Sequence, residues 1–180
     1  TNIYIKLIRF LSFSNQQMKE EMNLVTSRFN NTTLDENRSY KHKHKLNGCI
    51  YGSPLQLASS IDMKAVVYVI EMNNQTNQVE GIGVIRNYPS FHEPKIVYSN
   101  GNYNRYVYVG DYHLDREMLS RRDDSLIPIL ETLLFKGKSH MKRGAGLTVF
   151  PKRLLQDKRC PEDVDIKNKI REIFKTYFDK

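Results

Sequence analysis

The clearest secondary-structure signal in the pattern of apolar and polar positions lies between residues 66 and 86. Val66 to Met72 is a β-branched and aromatic run, Asn73 to Asn77 is turn chemistry, and Val79 to Ile85 returns as a second apolar run. That pattern predicts a β-hairpin. Gly81 and Gly83 inside the returning strand predict a bulge or a close backbone approach, as at a barrel corner.

The flanking patterns are shorter. Residues 3–11 alternate loosely, as in a strand partly covered on both sides. Ser14 with Gln17 resembles a capping box, and Met18, Met22, Val25 and Phe29 follow at helical spacing, predicting an amphipathic helix that stops at Asn30-Asn31. The polar run 30–47 reads as a basic loop. Ser53 and Pro54 suit the start of a short helix. Residues 87–105 read as an irregular connection with a short hairpin through Lys95 to Tyr98. Tyr106 to Gly110 alternates as a strand, and Leu114 to Leu119 reads as a helical turn. Leu126 to Leu134 is apolar nearly all round, with Pro128 harmless in the first turn, which predicts a buried helix. Lys136-Gly137 then supplies a natural stop, and Gly144 to Phe150 reads as a last strand. Val164, Ile166, Ile170, Ile173, Phe174 and Tyr177 put one apolar stripe on a C-terminal helix over 161–180, which either docks on the domain or binds a partner chain.

A chain of 180 residues is most simply one domain, here 1–160, with 161–180 as a terminal helix. With 39% hydrophobic residues, 11 Tyr, 8 Phe and no Trp, the composition is globular with an aromatic-rich core. Cys49 and Cys160 stand far apart with no CxxC, so a reduced, intracellular protein is expected, with no metal and no other cofactor. His42 and His44 lack the third ligand that a zinc site needs. The N-terminal IYIKLIRFL is too short and too charged to span a bilayer, so no membrane role is expected.

Charge changes the picture most. Between Lys136 and Arg159 there are eight Lys or Arg against one acid, Asp157, a surplus of +7 within a chain whose formal charge is +8. Gly137, Gly144 and Gly146 interrupt this stretch. Flexible backbone and concentrated cations suit phosphate, so nucleic acid is the expected partner. Lys136, Lys138, His140, Lys142, Arg143, Lys152 and Arg153 are the candidate backbone contacts. Tyr51, Ser53, Asn73, Tyr106 and Tyr108 are the candidate lining of a base pocket, and Tyr68 and Tyr103 are further stacking faces.

Enzyme signatures are weak. Gly137-Lys138-Ser139 ends like a P-loop, but Thr132 stands where the first glycine belongs and the motif follows a helix instead of preceding one. Gly81-x-Gly83 lacks the third glycine of a dinucleotide fingerprint, since Arg86 stands there. Ser139, His140 and Asp111 have no nucleophile elbow. Glu71, Glu80 and Asp111 are the scattered acids a metal-dependent nuclease would use.

Gly48, Tyr51, Ser53 and Pro54, the strand Val66 to Ile70, the turn Asn73 to Asn77 and the return Val79-Glu80-Gly81-Ile82-Gly83 resemble the central part of the YTH domain, a member of the PUA-like superfamily. The resemblance covers residues 48–86. It implies an α+β fold, a curved PUA-like β-barrel with flanking helices, and a pocket for a single, often modified, base of single-stranded RNA. YTH pockets use tryptophans for methyladenine, and this chain has none. The EMNNQTNQVEGIGVIRN and LLFKGKSHMKRGAG segments are also similar in texture to proteins of large DNA viruses with A/T-rich genomes, which implies host cytoplasm. The expectation is a non-catalytic module binding single-stranded RNA, set against a viral assembly factor using 161–180 or a metal-dependent nuclease.

Overall fold

The structure, a computed structural model, describes residues 21–179. The expected strand at 3–11, and the first half of the helix expected after Ser14, lie outside the described residues. The architecture is α+β. Strands β1 (Asn23–Phe29), β3 (Val66–Asn73), β4 (Gln78–Arg86), β6 (Tyr112–Asp115) and β7 (Thr148–Val149) form one sheet in the order β6-β4-β3-β1-β7. Strands β2 (Cys49–Ser53) and β5 (Tyr106–Gly110) form a separate antiparallel ribbon. The helices are α1 (Asn31–Lys43), α2 (Arg116–Arg122), α3 (Leu126–Phe135), α4 (Lys152–Leu155) and α5 (Ile166–Phe178), with a 3₁₀ turn at Gly101–Asn104.

The hairpin forms as its pattern predicts. Val66 pairs with Arg86 and Val69 with Gly83, and the register shifts after Glu71↔Gly81, which leaves Glu80 as the bulged residue. Gly83 and Gly110 permit a close approach of the ribbon. A Cβ on Gly83 would fall 2.1 Å from the Tyr51 hydroxyl oxygen, and one on Gly110 would fall 1.8 Å from the Val84 carbonyl oxygen. The ribbon therefore lies directly on β4. Among the described residues the hydrogen bonding does not close sheet and ribbon into one barrel.

Strand alternation divides the core in two. Leu24, Tyr68, Ile70, Met72, Ile82, Val84 and Leu114 face α2, α3, α4 and α5. Val25, Phe29, Val67, Val69 and Ile85 face the ribbon and α1. The stripe on α5 is used internally, with Ile166, Ile170, Ile173 and Phe174 all buried and the Tyr177 hydroxyl donating to the Met118 carbonyl at 2.9 Å. Ring edges tie the helix down, Tyr68 to Phe174 at 5.3 Å and Tyr112 to Phe178 at 5.0 Å.

Four expectations are corrected. Residues 23–29 are a strand, not the end of a helix: β1 pairs in parallel with β3 from Asn23↔Val67 to Phe29↔Asn73, and buried Val25, Thr26 and Ser27 fit a strand covered on both faces. The run 30–47 is not a loop. Asn30 caps α1 by accepting from the Thr33 N–H at 2.8 Å while its own N–H donates to Thr33 Oγ1 at 3.0 Å, and this reciprocal cap offsets a helix that buries only Leu34 and Asn37. Ser53 starts no helix: it ends β2, and its hydroxyl donates to the Leu55 carbonyl at 2.5 Å. No hairpin forms through Lys95 to Tyr98, where the Asn104 side chain instead accepts from the Val97 and Tyr98 N–H groups at 2.9 Å each.

Candidate nucleic-acid interface

A cavity of about 540 Å³ opens where β1 gives way to α1. Its floor is Ser27, Arg28 and Phe29, and one wall is the first turns of α1 through Thr32, Thr33 and Glu36. Gly52 of the ribbon, Tyr98 and Tyr103 form the opposite wall, and Asn74, Gly144 and Gly146 complete the rim. The volume suits a small organic group such as a nucleobase.

Arg28 is fixed without being consumed. Its Nε donates to the Met141 carbonyl at 2.6 Å and its Nη1 to Thr148 Oγ1 at 2.8 Å, leaving Nη2 without a hydrogen-bond partner among the described residues. Burial pulls its pKa down, and the neighbouring Tyr103 pushes it up. The two tyrosines stand edge to face with centroids 6.2 Å apart. Tyr98 is buried, its hydroxyl accepts from Asn37 Nδ2 at 2.9 Å, and burial pushes its pKa up to about 12. Tyr103 is half-buried. Gly52 makes room for the Tyr98 ring and the Tyr103 backbone, since a Cβ there would fall 2.6 Å from Tyr98 Cε2 and 2.0 Å from the Tyr103 carbonyl oxygen. Glu36 is tethered across the mouth, where its Oε1 accepts from the Ser99 N–H at 3.1 Å.

The basic loop roofs this cavity. Its backbone is pinned, with the Lys142 carbonyl accepting from Asn74 Nδ2 at 2.8 Å and the Met141 N–H donating to the Leu134 carbonyl at 2.7 Å. Gly144 and Gly146 sit at φ +108° and +66°, and a Cβ on Gly146 would fall 2.1 Å from Ser53 Oγ. Only glycine allows the loop to turn this closely over the ribbon.

The expected backbone contacts divide. Lys136, Lys138 and Arg143 are exposed. Lys142 Nζ donates to Asn77 Oδ1 at 2.7 Å, and His140 Nδ1 accepts from the Lys142 N–H at 3.3 Å, so both help to shape the loop. Lys152 and Arg153 belong to α4, and Lys152 lies 3.4 Å from Glu21 at the opposite end of β1. They are not part of the same surface.

The expected base pocket is corrected more severely. Tyr51 and Tyr108 are fully buried, the first with its hydroxyl donating to Glu71 Oε1 at 2.7 Å and the second with its hydroxyl accepting from the Leu57 N–H at 3.1 Å. Tyr68 is likewise buried, in the helix-side core. Ser53 is buried and accepts from the Leu147 N–H at 3.4 Å. Asn73 is buried and shapes the hairpin turn, where its Oδ1 accepts from the Gln75 and Thr76 N–H groups. Tyr106 is half-buried against Phe91, with centroids 6.2 Å apart. Gly52, between two of the expected residues, lines the cavity while its neighbours point elsewhere. Tyr103 does line it, and Arg28, Glu36 and Tyr98 are added to it.

The candidate nuclease acids do not converge. Glu71 is buried beneath Tyr51 and His113, whose Nε2 lies 3.0 Å from Glu71 Oε1, and Glu80 pairs with Arg38 at 3.0 Å. Burial pushes the Glu71 carboxyl up, but the His113 imidazole and the Tyr51 hydroxyl outweigh it and hold the carboxyl below its ordinary value. Among the described residues no three His, Cys, Asp or Glu side chains gather as a metal site, and no helix is long and apolar enough to cross a membrane. No family model, curated protein or solved structure matches the chain.

Proposed function

We propose that this protein is a non-catalytic module that binds single-stranded RNA, taking one unstacked base into the cavity at the end of β1. The observation that carries this reading is the coincidence of that cavity with the basic loop. Arg28 lies beneath Gly144, Tyr103 lines the same cavity, and Lys138 and Arg143 are exposed on the same loop. A base in the cavity leaves its flanking phosphates within the field of those cations, and ring stacking on Tyr103 is tolerant of sequence. We read the ribbon lying on β4 as the PUA-like, YTH-like arrangement that residues 48–86 resemble, in a protein of viral type working in the host cytoplasm.

The assembly-factor reading relies on an apolar face of 161–180, and in α5 that face is inside the fold. The nuclease reading relies on Glu71, which lies beneath Tyr51 and His113. Both are weaker than the binding reading for those reasons.

The test is a salt titration with a short single-stranded RNA. Replacing Lys138 and Arg143 together by alanine is expected to weaken binding and to reduce the slope of log K against log salt by about 1.4, at roughly 0.7 per lost phosphate contact. Unchanged affinity and slope would remove the loop from the interface.

A further inference from the structure

We infer that the base selected by the cavity is guanine. This rests on the RNA-binding reading above and assigns its specificity. The cavity presents one fixed donor and one fixed acceptor of opposite charge. Arg28, held through Nε and Nη1, offers Nη2. Glu36, held by the Ser99 N–H on Oε1, keeps Oε2 and a further lone pair on Oε1 for a ligand.

The four bases differ in how they meet such a pair. Guanine carries adjacent N1–H and N2–H donors, which a carboxylate accepts together, and acceptors at O6 and N7, which suit an arginine. Adenine offers the carboxylate its N6 amine but sets the N1 lone pair beside it, which is repulsive. Uracil has a single ring N–H, and cytosine has an exocyclic amine flanked by an unprotonated ring nitrogen. Only guanine gives Glu36 two donors while leaving an acceptor edge for Arg28. The rim does not oppose a purine above the guanidinium, because Gly144 withholds a side chain there: a Cβ on it would fall 3.6 Å from Arg28 Cζ.

The experiment uses the full chain and fluorescence anisotropy with a uridine oligonucleotide carrying one central guanosine, inosine, adenosine or uridine. Guanosine is expected to bind about tenfold or more tightly than adenosine, with inosine between them because it lacks the N2 amine. Glu36→Gln keeps a carbonyl for the Ser99 N–H and should collapse the guanosine-to-inosine ratio towards one, with an unchanged melting temperature showing that the fold is intact. Equal binding of all four oligonucleotides, with the salt slope preserved, would overturn the guanine assignment and leave the RNA reading standing. Guanosine selectivity unaffected by Glu36→Gln would overturn the role of Glu36. Failure of every oligonucleotide to bind at low salt would overturn both readings.

Discussion

The two faces of the sheet are built from the same strands but use their residues differently. On the helix side, alternate residues of β1, β3, β4 and β6 meet α3 and α5 in a continuous apolar layer of Leu, Ile, Val and aromatic rings. On the ribbon side, the intervening positions include Ser27, Glu71, Gly83 and His113, and the layer is interrupted by Tyr51–Glu71–His113 and by Asn37–Tyr98. The cavity opens at the margin of this second layer. Buried polar groups need partners whose geometry is fixed, so the ribbon side gives up apolar contact and gains oriented donors and acceptors. Stability should therefore reside chiefly on the helix side and recognition on the ribbon side.

The strongest way to break that division is to open a hole in the helix-side layer. Phe174 is fully buried between Tyr68 and Phe178, so Phe174→Ala is expected to cost about 3–5 kcal/mol. In urea denaturation the midpoint should fall with little change in slope, while RNA affinity measured well below the new midpoint stays near wild type. A large loss of affinity in the folded protein would show that the two faces are coupled.

That division was only partly readable in the sequence. The hairpin was legible because Val66 to Met72 and Val79 to Ile85 are apolar, β-branched-rich runs on both sides of a polar turn, and α3 and α5 were legible from long apolar periodicity. The layer they build follows from those patterns. The cavity does not. It depends on β1 lying parallel to β3, a pairing between segments 44 residues apart at Leu24↔Tyr68 and Val25↔Val69, and on α1, whose helical state comes from the Asn30–Thr33 cap more than from an apolar stripe. The tyrosines misled for a related reason. Alternation shows which residues share a face but not how each face is covered, and the Tyr51–Tyr108 pair of the ribbon points inward. Gly52, whose lack of a side chain lets Tyr98 and the Tyr103 backbone pack against the ribbon, carries no signal in a hydrophobicity pattern.

A second, smaller effect separates the faces by pH. Glu71 has a folded pKa below its ordinary 4.5, so its ionised form adds stability that is fully present above that ordinary value and is lost as pH falls through the folded one. Glu71→Gln is expected to cost about 1–3 kcal/mol at neutral pH by disturbing the bonds to Tyr51 and His113. From about pH 5 downward the gap between wild type and variant should narrow, because the wild-type carboxylate is being protonated and the amide is not. Chemical denaturation at several pH values measures this. A gap that stays constant or widens on acidification would mean that Glu71 is not held ionised by its neighbours. Phe174→Ala should show no such narrowing.

The smallest expected change in stability, and the one that most sharpens the contrast, is at Tyr103. Its ring is half-buried at the cavity wall, and a leucine there keeps apolar bulk against Tyr98 while removing the aromatic face. Tyr103→Leu should shift stability by about 1 kcal/mol or less, because leucine keeps apolar bulk against the ribbon-side core. If Tyr103 is the stacking surface, RNA affinity should nevertheless fall by about 1–3 kcal/mol with the salt slope unchanged, because stacking is lost and no phosphate contact is removed. Calorimetric melting and anisotropy titrations on one preparation separate the two quantities. A parallel loss of stability and affinity would make Tyr103 a structural support of the wall. Loss of affinity alone would place recognition on the ribbon side, at a residue the fold can do without.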